Sequence, residues 1–317
     1  MRNQGEGGEV EGRGVLMDDA QPSQRQLWYA IHSTSGLGPV AAQRLAVGLR
    51  DVNLAVEDLM HRTPEELSDG FGLSDSLAHA LAYELEHAWN LRVDDPELLL
   101  PGDEAYPNGR FLDAVPPLPV ALWAIGLCSL LDNRRPSLGV AGSRDAVDEL
   151  LELTHRLAGI SATQGWDVVS GLAAGVDSAA HQGVVDSGGS TIGVLANGLS
   201  SPSRHWQPEN LDDVCVVSQF APSEPWSGPR AMQRNATIAA LSDRVFITAA
   251  GDRGGSWEMG QLCLKKRKPL YVLDVDTDTA AGNHLLIRGG ATAVSADELE
   301  VVFREAALDD SPQTLFD

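Results

Sequence analysis

The chain has 317 residues, 43% hydrophobic and 21% charged, which excludes a disulfide-held miniprotein and leaves room for one large or two modest domains with a real core. Its 32 Gly and 17 Pro promise many turns, against a coiled coil or a helical rod. With 23 basic and 45 acidic residues the net charge is −22, which opposes non-specific attraction to nucleic acid, so any phosphate site must be a local exception.

Residues 1–22 are rich in Gly, Glu, Asp and Gln with few large apolar side chains, and residues 307–317 have a similar acidic texture. Such segments do not repay the entropy of ordering, so both ends are expected to be loose tails. The N-terminus lacks the cationic start and apolar core of a secretion signal, and no stretch approaches the roughly 18 apolar residues that span a bilayer. The expected location is the cytoplasm, away from any membrane.

From Gln26 to about Trp89 the apolar residues recur at three- and four-residue spacing with Gly or Pro between segments, which predicts a small helical domain over 23–92. Thr63, Pro64 and Glu66 form a helix-start signal. GLGPVAAQRL has the form of a Gly-containing hairpin before a helix, open to two uses: a helix-hairpin-helix phosphate grip or a packing module.

A proline-rich passage, YPNGRFLDAVPPLPVALWAIG, leads into short apolar runs alternating with amphipathic stretches. Strands are predicted near 120–125, 138–141, 167–170, 191–195, 214–218, 244–248 and 270–273, with helices near 146–164, 175–187, 234–242 and 256–267. That alternation predicts an α/β domain over 93–306, Rossmann-like, with a mainly parallel sheet covered by helices on both faces. Cys128, Cys215 and Cys263 lie far apart with no CxxC pair, so they are expected to be buried thiols rather than a zinc site or a disulfide framework.

Ligands of such sheets lie beyond the C-terminal strand ends, where four loops qualify. In SLGVAGSR, Gly142 and Ser143 allow close backbone approach to a phosphate, and Arg144 adds a planar fork for its oxygens. In VVSGLAAGVDSAAH, Ser170 and Gly171 precede a helix start that offers free amides, without the GxGxxG fingerprint of a dinucleotide site. Asp177 and His181, four apart on that helix, suggest either an acid–base or metal pair, or a dipole-complementing carboxylate beside a packed histidine; the second reading is preferred. Arg234 and Asn235 are placed near the start of the helix in PRAMQRNATIAALSDRVFIT, facing the same cleft. In TAAGDRGGSWEMGQLCLKKRKPLYVL, Gly254, Gly255 and Ser256 open a helix suited to phosphate, while Glu258 is either catalytic or a dipole partner. The lysines are confined to Lys265, Lys266 and Lys268, at the far end of that helix, where they complement its dipole. No metal and no cofactor are expected.

Taken in order, GLGPVAAQRL, Tyr106-Pro107 with PPLPVALWAIG, GVAGSR, VVSGLAAGVDSAAH, GSTIGVLANGL and QRNATIAALSDRVFIT resemble the DprA/Smf family of DNA-processing proteins over about residues 25–300. The resemblance implies a SAM-like or helix-hairpin-helix domain before an extended Rossmann domain, single-stranded DNA binding, a homodimer, and delivery of RecA to incoming strands in natural transformation. It implies a phosphate pocket of Gly142, Ser143 and Arg144, joined by Ser170, Gly171, Arg234 and Asn235. Ala231 and Met232 stand where the family has an aromatic residue before the Arg-Asn pair, and Ala236 where it has a basic one. Ser218-Gln219, Leu273-Asp274 and GGSWEMG are further departures, and no C-terminal winged helix is expected after about residue 306. GGSWE downstream of QRN is also similar to the LOG-type phosphoribohydrolases, which implies Arg234 and Glu258 as an N-glycosidic cleavage pair, though the family's Pro is absent and the spacing is shorter. A non-catalytic nucleotide sensor is a third possibility.

Overall fold

The computed structural model describes residues 21–112, 120–132, 135–201 and 204–304. The expected tails, apart from residues 21 and 22, and residues 113–119 of the proline-rich passage lie outside these.

Helices α1 (Gln24–Ser33), α2 (Pro39–Asp51), α3 (Pro64–Phe71) and α4 (Asp75–Glu86) form the N-terminal part. Their starts follow from local side-chain chemistry. The Thr63 hydroxyl accepts from the Glu66 amide at 3.3 Å and the Glu66 carboxylate accepts from the Thr63 amide at 2.8 Å, so two otherwise orphaned donors are satisfied ahead of Pro64. Ser23 and Gln26 repeat the device at α1. The apolar faces bury Leu27, Ile31, Leu45, Leu67, Leu81 and Leu85, and the same cluster takes in Leu98, Val120, Ala121 and Trp123. The helices thus pack on the edge of the sheet, sharing a core with it.

Strands β1 (Leu98–Leu99), β2 (Leu122–Gly126), β3 (Ser137–Ala141), β4 (Asp167–Ser170), β5 (Thr191–Val194), β6 (Val214–Ser218), β7 (Arg244–Ile247), β8 (Leu270–Leu273) and β9 (Thr292–Val294) build one sheet, in the order β1-β2-β6-β5-β4-β3-β7-β8-β9 among the described residues. β3 to β9 pair in parallel, while β2 runs antiparallel to β6 and β1 antiparallel to β2. The mainly parallel Rossmann-like sheet is as expected. β1 and β9 went unpredicted, because a two-residue strand and one whose first two residues are exposed carry no apolar run.

Alternation of side chains splits the core into two layers. Leu138, Val140, Val168 and Phe246 face α6 (Asp148–Thr163), α7 (Val176–Asp186) and the turn Leu299–Phe303. Val169, Ile192, Val194, Val245 and Ile247 face α8 (Gly228–Leu241), α9 (Gly255–Lys265) and α10 (Asn283–Arg288); Phe111 of α5 (Asn108–Leu112) joins that layer. α8 starts six residues before its expected first turn, because Ser227 caps it by accepting from the Arg230 amide and Pro229 suits a first-turn position. Arg234 and Asn235 therefore sit mid-helix, not at a helix start.

The chain winds outward through β3, β4, β5 and β6, then returns to place β7 on the other side of β3. The loops after β3 and β7 consequently diverge and leave a crevice at the strand ends, the switch point of a doubly wound sheet. Among the described residues no helix is long and apolar enough to cross a membrane.

Candidate nucleic-acid interface

The crevice holds a two-lobed cleft. One lobe, of about 600 Å³, is lined by Gly142, Ser143, Arg144, Arg234, Asn235, Gly255 and Ser256 among others. The other, of about 450 Å³, is lined by the apolar Leu172, Leu195 and Ala196 together with buried Asn197 and exposed Arg204. Arg144, Ala173, Trp226 and Arg234 border both.

Backbone-to-backbone contact shapes the first lobe. Gly175 has φ +74°, and a Cβ there would meet the Ser143 carbonyl at 2.5 Å, so the loops after β3 and β4 touch only because no side chain intervenes. The Val176 amide then donates to the Ser143 carbonyl at 3.3 Å, and Gly142 packs on Val176. Ser143 Oγ accepts from the Asp145 amide at 3.1 Å, a local turn that leaves Arg144 exposed at the lip. Opposite, the Asn235 amide group donates to the Gly255 carbonyl at 3.0 Å, which fixes α8 against the start of α9. Gly254 caps α9 with φ +96°, and Gly255 and Ser256 form its first turn, where free amides and the helix dipole favour an anion.

Arg234 is only 5% exposed. Its guanidinium donates to the carbonyls of Gly171 and, at 2.6 Å, Val194, drawing together the ends of β4 and β5. A Cβ on Gly171 would overlap that guanidinium. Asp177, buried beside it, has its carboxyl pushed up by desolvation against the pull of Arg234. Burial lowers the Arg234 guanidinium in turn, with Asp177 opposing and Arg144 adding to the effect. Arg234 Nε is buried with no hydrogen-bond partner. Ser170 lies fully buried beneath the loop, its hydroxyl donating to the Val140 carbonyl at 2.7 Å. Ser170, Gly171 and Arg234 thus frame the cleft, while Gly142 to Arg144 and Gly255 to Ser256 are presented in it.

His181 is the packed histidine preferred from the sequence. It is fully buried, within 2.8 Å of the Thr191 hydroxyl and stacked on Trp206 at 4.7 Å, and burial lowers its imidazole to about 3. Among the described residues no group of three or more His, Cys, Asp or Glu is arranged to hold a metal. Glu258 is exposed and lines neither lobe, so it is not brought together with Arg234.

Trp226 escaped sequence reasoning. It is 54% exposed, and the Arg144 guanidinium carbon lies 5.6 Å from its ring centroid. Arg230 donates to the Pro225 carbonyl at 2.8 Å and pairs with Glu224, which anchors the segment that carries it. An exposed tryptophan between two prolines and a helix cap was the available signal. Trp226 places an aromatic ring at the border of both lobes, just before α8.

A family model described as DNA recombination-mediator protein A matches residues 97–304. Protein Smf of Synechocystis is 27% identical over 297 residues, covering 87% of this chain and 71% of that protein. The putative DNA processing protein DprA of Mycobacterium tuberculosis is 30% identical over 193 residues, covering 57% of this chain and 48% of that protein, about half its length. Among solved structures, DNA processing protein A of Streptococcus pneumoniae shares the fold with a TM-score of 0.70 at 22% identity, over 90% of this chain and all of that one. That of Helicobacter pylori, described for its unique single-stranded DNA binding mode, matches with a TM-score of 0.51 at 26% identity, over 58% of this chain and 86% of that one.

Proposed function

The chain belongs to the DNA recombination-mediator protein A family, and from that premise we propose that it is a DNA-processing protein that binds single-stranded DNA in the two-lobed cleft. The observation that carries this is the meeting of the Gly142–Arg144 loop and the first turn of α9 at the switch point, in a lobe bordered by Arg144, Arg234 and Arg253. Asp145, Asp177 and Asp278 line the same lobe, whereas the second lobe adds Arg204 with no carboxylate, so across both lobes four arginines face three aspartates, a local exception in a chain of net charge −22. The glycine loop and helix start supply amides for phosphate oxygens, Arg144 a charged fork, and Trp226 a face on which a base stacks. In a duplex the faces of a base are covered by its stacked neighbours, so the site favours single strands.

In the same reading the protein is a homodimer that protects incoming DNA and assists RecA loading; the family's description as a recombination mediator supports a role in recombination. The hydrolase alternative lacks support at its central residue, because Glu258 is exposed and does not line the lobe that Arg234 borders.

The test is fluorescence anisotropy of a labelled single-stranded oligonucleotide with duplex competitor, at two salt concentrations, for wild type and Arg144→Ala. Salt-sensitive, single-strand-preferring binding that Arg144→Ala weakens at least tenfold is expected. No binding by wild type at low salt refutes the proposal.

A further inference from the structure

Cys128 and Cys215, remote in sequence, come close at the end of β6 away from the cleft. β2 runs antiparallel to β6 with Gly126 opposite Cys215. The chain then folds over the start of β6: the Leu127 amide donates to the Val214 carbonyl at 2.8 Å, and Cys128 opens the turn Cys128–Asp132. Gly126 allows this close crossing with φ +85°; a Cβ there would strike the Val214 carbonyl. The crossing lays the Cys128 side chain against the cluster that contains Cys215. Cys215 is fully buried, whereas Cys128 is half-buried and open to small molecules. Cys263 is 1% exposed on α9.

We propose that Cys128 and Cys215 are an oxidisable dithiol, with Cys128 the residue that meets a hydroperoxide and Cys215 the residue that resolves it. The environments divide the roles. Cys128 is the half-buried member that a peroxide can reach, and a hydrogen bond from Cys215 draws its thiol below its ordinary value, against the opposing effect of burial, which favours the reactive thiolate. The Cys215 thiol is raised by that same bond and by burial, which keeps it protonated until its partner is oxidised. In the first step the Cys128 thiolate attacks the peroxide O–O bond, giving a sulfenic acid and, from hydrogen peroxide, hydroxide. In the second, the Cys215 sulfur displaces the sulfenic hydroxyl, which leaves as water with the Cys215 proton, and the S–S bond forms. The cysteines serve no role in the DNA reading: they sit at the end of β6 opposite its cleft end, and neither lobe is lined by them.

The test treats the reduced full chain with dilute hydrogen peroxide, labels remaining thiols under denaturing conditions and maps the peptides by mass spectrometry. A Cys128–Cys215 crosslink with Cys263 left as free thiol is expected, and native Cys128 should react with iodoacetamide at neutral pH at least about tenfold faster than Cys263. Cys128→Ser should abolish the crosslink, and Cys215→Ala should leave a sulfenic acid on Cys128 that dimedone traps. Wild-type protein whose Cys128 reacts no faster than Cys263, or which crosslinks through Cys263, overturns the proposal without bearing on DNA binding, and needs no variant to fold.

Discussion

Replacing Arg234 by Met separates framing the cleft from contacting its ligand. The substitution keeps an unbranched stem but shortens the side chain and removes the donors to the Gly171 and Val194 carbonyls and the counter-charge of buried Asp177. Each buried acceptor left unpaired costs about 1 to 3 kcal/mol, and removing the charge that compensates a buried carboxylate costs about 3 to 5 kcal/mol. Arg234 borders both lobes, so water can reach part of the vacated space, which points to the lower end, about 3 kcal/mol. Asp177→Asn removes the stranded charge, so the double variant Asp177→Asn/Arg234→Met should be destabilised by at least about 1 kcal/mol less than the sum of the singles. Urea denaturation followed by circular dichroism measures all three, with Arg144→Ala as an exposed control expected to change stability by no more than about 0.5 kcal/mol. A stability loss below about 1 kcal/mol for Arg234→Met, coupled with lost DNA affinity, would refute the framing role and make Arg234 a direct phosphate contact.

Trp226→Ala should weaken single-stranded DNA binding by about 1 to 3 kcal/mol, or roughly ten- to hundredfold, with folding intact because the ring is 54% exposed; anisotropy titration checks it. The His181 imidazole stands at about 3 in the folded state against 6.5 unfolded, so the unfolded chain binds more protons between those values and stability falls as pH drops below about 6.5. Its share of that loss is about 2 kcal/mol by pH 5, and urea midpoints of His181→Gln should fall less steeply with acid than those of wild type. Asp167 acts with the opposite sign: burial raises its carboxyl to about 6, against the pull of Arg135 and Arg110, so the folded chain binds the extra proton and stability declines as pH rises from about 3.8 to 6. Asp167→Asn should remove that decline from the same measurement.

Much of the architecture was written locally. The capping box at Thr63, the apolar runs of β3 to β8 and the amphipathic spans between them each state their conformation within a few residues, so the mainly parallel sheet could be derived before any contact was known. The glycine loop at Gly142 and the helix start at Gly255 were legible for the same reason: close backbone approach and free amides are properties of short segments.

Partners remote in sequence were not legible. No local pattern says that Arg234 spends its guanidinium on the ends of β4 and β5, that Ser170 bonds down to Val140, that Glu258 stays out of the lining of the cleft, or that Trp226 lies by Arg144. Nor does spacing reveal that a turn after an antiparallel strand brings Cys128 onto Cys215. The sequence by itself determined which segments are helix, strand or phosphate-approaching loop, because those preferences arise from sterics and hydrogen bonds within one or two turns of chain. Only the tertiary structure decided which polar side chains remain free for a ligand, because burial and pairing depend on what the return of β7 beside β3 brings into contact.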